Sequence, residues 1–211
     1  MRITKHEHAC LEIEHSGDTL VIDPGGYTTL LVGVTNVVAI VITHEHADHW
    51  SQEQLEHLLK ASPHARVFGP AGVAAAATSF PIETVAPGDT IELDPFTLSF
   101  FGGEHAVIHD SIPIVDNVGV LVNETLYYAG DSYTIPDVAV DTLAVPAGAP
   151  WLKIGDVMDY VSAIAPKRAF PVHEMVLSTI GKSLSNARIK SATEAAGGEF
   201  FALQAGEGID V

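Results

Sequence analysis

The stretch Thr43-His44-Glu45-His46-Ala47-Asp48-His49-Trp50 sets four groups that can bind a divalent ion, His44, His46, Asp48 and His49, within six residues. Imidazole and carboxylate ligands without a thiolate suit Zn(II), and also Mn(II) or Fe(II). His44 and His46 lie two apart, so in extended chain both rings point to one side. Asp48 and His49 follow where the chain turns and need not share that direction, so one ion or two could be served. Histidine is the anomaly of the composition, with 11 in 211 residues, and it points to metal.

The elements that must position these groups can be read on either side. Residues 37–42 (Val-Val-Ala-Ile-Val-Ile) form a continuous apolar, β-branched run, which predicts a strand buried on both faces. Ser51-Gln52-Glu53-Gln54 has the form of a helix capping box, Leu55, Leu58 and Leu59 follow at helical spacing, and Ser62-Pro63 ends the helix. The four ligand candidates therefore fall in a strand-to-helix loop, where α/β layers place their chemistry.

The same arrangement recurs downstream. His105 follows a strand over residues 96–101 and the flexible Gly102-Gly103-Glu104; Asp131 follows a strand over 126–128; His173 follows a strand over 167–172. A lone histidine at a strand exit is more often structural than a ligand, but three such exits beside the dense motif favour metal. Elsewhere the pattern predicts a hairpin from residues 9–14 and 19–22, further strands at 66–68, 83–85, 90–93, 117–122, 141–145 and 199–203, and helices at 70–77, 154–164, 174–180 and 185–196. Strands in both halves with helices interspersed suggest an α/β fold of two face-to-face sheets with helices outside, a four-layer αββα sandwich. Composition alone does not separate this from other α/β folds; the metal pattern does.

A chain of 211 residues, 47% apolar, supports one domain spanning residues 1–211. The single cysteine, Cys10, excludes an internal disulfide and suits a reducing compartment; with no signal-peptide pattern at the start, a cytoplasmic protein is expected. A net charge of −17 repels nucleic-acid backbones and anionic lipid, so neither is expected as a partner. The longest apolar region, residues 30–42, is too short to span a membrane. A small-molecule substrate is the expected partner, and a homodimer is reasonable on base rates.

With these residues in view, the chain resembles the metallo-β-lactamase-fold hydrolase superfamily over essentially its whole length. The His-x-His-x-Asp-His motif stands as residues 44–49, and the early strand ends in Asp23-Pro24 as the family's does. The opening His6-Glu7-His8-Ala9-Cys10 is similar to the ascorbate-6-phosphate lactonase-like branch, with Glu7 where that branch usually has Gly. The resemblance implies that His44, His46 and His105 hold one ion, that Asp48, His49 and His173 hold a second, and that Asp131 bridges them. It implies a hydrolase in which metal-bound hydroxide attacks a small ester, lactone or phosphoester. Two ions sharing a water lower its pKa towards neutrality, so Asp48 and its neighbours could supply a nucleophile without a separate base. The alternatives are a phosphodiesterase acting on a lipid or nucleotide-like diester, and a metal-binding protein without turnover.

Five further residues could serve this site. His109-Asp110 follows His105 by four residues and could orient substrate or, through His109, protonate a leaving group; a surface loop pair is the competing reading. Asp23 could hydrogen-bond a ligand histidine. His8 could line the pocket, and Trp151 could wall it, although a core tryptophan is the commoner outcome. His15, His57 and His64 are expected in solvent, as are Asp156 and Asp159 on their helix.

Overall fold

The run at residues 37–42 decides the layering, because its side chains alternate between two cores. Ala39 and Val41 pack into a cluster of 23 buried residues, while Ile40 and Ile42 join a separate cluster beneath helices. The computed structural model describes all residues, 1–211.

The first sheet is built from β1 (Arg2–Lys5), β2 (Leu11–His15), β3 (Asp18–Ile22), β4 (Val37–Val41), β5 (Arg66–Gly69) and β6 (Ile82–Thr84), with α1 (Gln52–Ala61) and α2 (Ala71–Ala76) against its outer face. The second is built from β7 (Thr90–Leu93), β8 (Phe96–Glu104), β9 (Asp116–Val122), β10 (Leu126–Tyr128), β11 (Thr142–Pro146), β12 (Arg168–Val172) and β13 (Glu199–Phe200). Its outer face carries α3 (Ile154–Ile164) and α4 (Thr179–Ala195), through Val157, Tyr160, Val161, Ile189 and Ala192. The chain then returns as β14 (Gly208–Asp210), antiparallel to β1, so each sheet has seven strands. Leu20, Ile22, Phe68, Phe100, Val120, Tyr128 and Phe170 meet between the sheets. This is the expected four-layer αββα sandwich.

Strand direction brings the ligand candidates to one end. β8 and β10 both run antiparallel to β9, and β10, β11 and β12 are mutually parallel, so the second sheet delivers residues 105, 131, 148 and 173 on the same edge. The two sheets are stitched at that edge where Val118 N–H donates to the carbonyl of Thr43 at 2.9 Å. No helix is long and apolar enough to cross a membrane.

Local signals were accurate where the contacts are local. Ser51 caps α1 by accepting from Gln54 N–H at 3.2 Å, as its capping box requires. Four expectations need correction. β1 and β14 are additional strands: β1 pairs with neighbouring β2 on one side and, on the other, across more than 200 residues with β14. The helices expected at 174–180 and 185–196 are one: Glu174 to Leu177 form a turn, Ser178 caps α4, and α4 runs unbroken from Thr179 through residues 181–184, which separate the two expected helices. Ser183 donates its hydroxyl to the Thr179 carbonyl, one turn back, so its polar group is met within the helix. β8 extends through Gly102 and Gly103 to Glu104, paired with β9, so those glycines are strand rather than flexible linker. β13 stops at Phe200 instead of reaching residue 203.

Candidate metal centre

Asp23 is the hub of the site. It is fully buried at the end of β3 and sits at φ +49, a left-handed conformation that turns its carboxylate towards β4. Oδ1 accepts from Thr43 N–H at 2.8 Å, and Oδ2 accepts from the Thr43 hydroxyl at 2.7 Å and from His49 Nδ1–H at 2.6 Å. Three donors satisfy the buried carboxylate, and in return it fixes both ends of the His44–His49 loop. Gly25 is what lets the chain after Asp23 pass this loop: a Cβ there would stand 1.8 Å from the Asp48 carbonyl oxygen.

Each inward histidine has its other ring nitrogen occupied. His49 donates Nδ1–H to Asp23, His105 donates to the Ala106 carbonyl at 2.5 Å, and His173 donates to the Gly148 carbonyl at 2.7 Å. The Thr43 hydroxyl hydrogen is committed to Asp23, so the 3.1 Å contact between Thr43 Oγ1 and His44 Nδ1 has the ring as donor. With Nδ1–H committed outward, all four histidines turn Nε2 inward, the atom that binds a divalent ion once it is deprotonated. The Nε2 atoms of His49, His105 and His173, with Asp131 Oδ1, are buried and have no hydrogen-bond partner. His44 Nε2 faces His46 Nδ1 at 3.1 Å. Inward ring nitrogens this close together need a proton or a metal cation among them, and this donor set fits divalent metal.

The candidate ligands fall into three groups within which ligand atoms lie no more than 4.8 Å apart: His44, His46 and His105; Asp48, His49 and His173 with His8; and His44, His49 and Asp131, which shares one histidine with each of the others. Asp131 stands between the first two. Its Oδ1 is 3.2 Å from His49 Nε2, and its Oδ2 is 3.4 Å from His105 Nε2 and 3.2 Å from His173 Nε2. Gly130, at φ +64, makes the turn that presents it; a Cβ there would lie 2.3 Å from Asn117 Oδ1. Asn117, fully buried, clamps the turn by accepting from Asp131 N–H at 3.0 Å and donating to the Ala129 carbonyl at 2.9 Å.

Charge follows from this geometry. Burial opposes ionisation of Asp131, but His49 and His173 hold its pKa well below the usual carboxylate range. Burial likewise opposes the charge on Asp48, and hydrogen bonds from His173 and His8 more than offset it, leaving the carboxylate far more acidic than usual. Burial disfavours charge on His49, yet Asp131 and Asp23 push its pKa up to about 9; Asp131 and Asp48 raise His173 in the same way. His44 goes the other way: burial and the neighbouring His49 keep it neutral, well below its ordinary value. The centre attracts cations on its carboxylate side and offers ready lone pairs on the other.

His8 belongs to the centre by contact and departs from the ligand histidines in tautomer. Its Nδ1 accepts from Met175 N–H at 3.3 Å, so Nε2 carries the hydrogen and donates it to Asp48 Oδ2 at 3.1 Å. It orients Asp48 and does not itself present a lone pair to an ion. Its carbonyl accepts His173 N–H at 2.8 Å and its ring lies 3.9 Å from that of His173, so it braces two neighbours at once. The buried Lys5–Glu174 pair, 2.6 Å apart, ties β1 to the residue after His173, and no pattern in the sequence announced it.

Trp151 is half-buried and donates Nε1–H to Asp131 Oδ2 at 2.8 Å, so it faces the centre and not the core. His109 and Asp110 are exposed; His109 Nδ1 pairs with the Ser111 hydroxyl at 2.8 Å in a local turn, and neither residue touches the ligand set. Of the two readings offered for His109-Asp110, these local contacts fit the surface loop pair.

The sequence model of the β-lactamase superfamily domain matches residues 2–173, a span that contains every candidate ligand. The chain belongs to the β-lactamase superfamily. A Mycobacterium tuberculosis protein is 36% identical over 198 residues, covering 92% of this chain and 93% of its own length. A metal-dependent hydrolase of Lysinibacillus sphaericus is 28% identical over 199 residues, covering 82% of this chain and 85% of its own. Among solved structures, a metallo hydrolase of Ignicoccus hospitalis superposes with a TM-score of 0.76 at 18% identity, over 99% of this chain and 97% of that one, a likeness of fold.

Proposed function

We propose that this superfamily member is a binuclear metal-dependent hydrolase of small esters, lactones or phosphoesters. The convergence of three buried, unpartnered Nε2 atoms and Asp131 Oδ1 carries the reading, since a divalent metal pair is the ligand that this His and Asp donor set suits. The chemistry of the relatives named above supports it. His44, His46 and His105 would hold one ion, and Asp48, His49 and His173 the other, with Asp131 touching both sets. When bound, a pair of divalent ions supplies an acidified water and Lewis acidity towards the scissile group.

The chain's own residues do the rest. Nδ1–H donations from His49, His105 and His173 fix which nitrogen faces inward, so the site is organised before any ligand arrives. Asp48 stays ionised throughout the neutral range, and a carboxylate that acidic is a poor proton acceptor. Its role is to hold charge beside the reacting atoms, with His8 keeping Oδ2 in place. Trp151 covers Asp131 on the open side and limits water there.

Metal analysis of protein purified without added metal, with a screen of ester, lactone and phosphodiester substrates, tests the proposal. About two ions per chain with turnover restored to chelated protein by Zn(II) or Mn(II) is expected. Less than about one ion per chain, with no turnover restored, would overturn it.

A further inference from the structure

A cavity of about 880 Å³ opens outward from the His105 side of the centre. Val107, Ile114, Tyr133 and Trp151 wall it, and Glu104 and Asp156 stand at its edge. A second hollow of about 320 Å³ shares Tyr133 and Asp156 and extends along α3 past Tyr160 and Asp159, so the two form one groove. Its aromatic side is continuous: the Tyr133 ring lies 5.2 Å from Trp151 and 5.7 Å from Tyr160.

Two properties define what fits. Val107 and Ile114 are 57% and 51% exposed, an open apolar surface that gains from being covered. No Lys or Arg lines either hollow, while three carboxylates do. Lys153 Nζ is 3.3 Å from Asp156 Oδ1 and offsets one of them; Glu104 and Asp159 have no ion-pair partner within 4 Å. The inner end is His105, so whatever fills the groove is continuous with the group at the metal centre. That makes the occupant part of the substrate.

We propose that this groove binds the arm of the substrate beyond the scissile carbonyl and selects apolar arms without negative charge. The inference rests on the hydrolase reading and narrows it to carbonyl esters and lactones with an uncharged acyl chain. Each added methylene that reaches the aromatic row leaves water, and a terminal carboxylate would meet Glu104 and Asp159 with no cation to receive it.

The metal-loaded protein is assayed with p-nitrophenyl acetate, p-nitrophenyl hexanoate and the p-nitrophenyl monoester of adipate, which matches hexanoate in length but ends in a carboxylate. Hexanoate is expected to exceed acetate in kcat/KM by about tenfold or more, and to exceed the adipate ester by about tenfold or more. The double variant Glu104→Lys/Asp159→Lys should cut the hexanoate-to-adipate ratio by about tenfold, and Ile114→Asp should cut the hexanoate-to-acetate ratio. Ratios are read because they cancel any loss of folded protein. Equal rates on hexanoate and adipate esters, or ratios unmoved by the variants, would overturn the groove.

Binding is measured separately by tryptophan fluorescence, with hexananilide and adipic acid monoanilide as uncleaved probes and Trp151→Phe to assign the signal. Discrimination between the anilides without turnover of any ester would uphold the groove and sink the hydrolase reading; turnover without discrimination would do the reverse. A change in sedimentation mass caused by Ile114→Asp, with selectivity unchanged, would mean that a second copy covers this surface, and the proposal would fall.

Discussion

His44, His46 and His105 share one pocket with Asp48, His49 and His173, yet the two triads are held by different means. In the first, each outer contact comes from an adjacent residue: Thr43 for His44 and Ala106 for His105, with His46 left half-buried. In the second, the supports come from far along the chain. Asp23 holds His49, Gly148 holds His173, His8 holds Asp48, and the buried Lys5–Glu174 pair fastens the segment behind His173. Both carboxylate-raised histidines also lie in the second triad. A site supported locally tolerates distant changes; one assembled from four strands should register them.

Asp131 is the residue the triads have in common, and its loss should have the largest effect. Asp131→Ala is expected to remove hydrolysis by at least about a hundredfold, the scale reached on losing even a supporting partner of a ligand, and to lower the metal content. Circular dichroism should show an intact fold. Turnover that survives would break the assignment of Asp131 to both ions.

Asp23→Ala tests the hub from below. Three donors lose a fully buried acceptor, so urea denaturation should show a loss of about 3–5 kcal/mol. Most of the damage to metal uptake should fall on the His49 side. A cost under about 1 kcal/mol would mean that the site relaxes around the missing carboxylate.

His8 separates the triads directly. His8→Phe should weaken the second ion by about 10- to 100-fold while the first remains, read as a split between two steps in a zinc titration. His8→Gln keeps an N–H donor and should recover part of the loss. If both variants lost both ions equally, the distinction between local and long-range support would fail.

The smallest effect is a slope against pH. In metal-free protein His49 is raised from 6.5 to about 9 and His173 is raised as well. Raised folded-state values mean that these groups stabilise the metal-free fold fully below about pH 6.5; the His49 contribution fades as pH climbs through about 9, and that of His173 is likewise lost only on the alkaline side of its ordinary value. Ions bind the same Nε2 atoms only when deprotonated. The stability gap between ion-loaded and chelator-treated protein should therefore widen from about pH 6.5 to 9, by up to about 1.4 kcal/mol per pH unit for each proton displaced. A gap that stays flat would show that the second triad is already neutral without metal.

What could be read beforehand follows the same division. The strand at 37–42, the helix capped by Ser51 and the ligand-bearing exits of β8, β10 and β12 depend on neighbours in sequence, and each was legible. The β1–β14 pairing, the buried Lys5 and the turn at Glu174 depend on partners more than a hundred residues away. For His109, proximity to His105 in sequence says nothing about which way a loop leaves the sheet. For Trp151 the sequence offers a pocket wall or a core residue, and only the contact with Asp131, from one loop to another, decides for the pocket.

By itself the sequence determined the donor types, their places at strand ends and the layered fold that gathers them, because hydrophobic periodicity and residue chemistry are local properties. Tertiary structure alone decided which ring nitrogen faces inward. It made His8 the donor that holds Asp48, and it opened an acidic, apolar groove beside His105. Tautomer, orientation and cavity shape are set by what another strand brings within 3 Å or so, and spacing along one chain does not encode that.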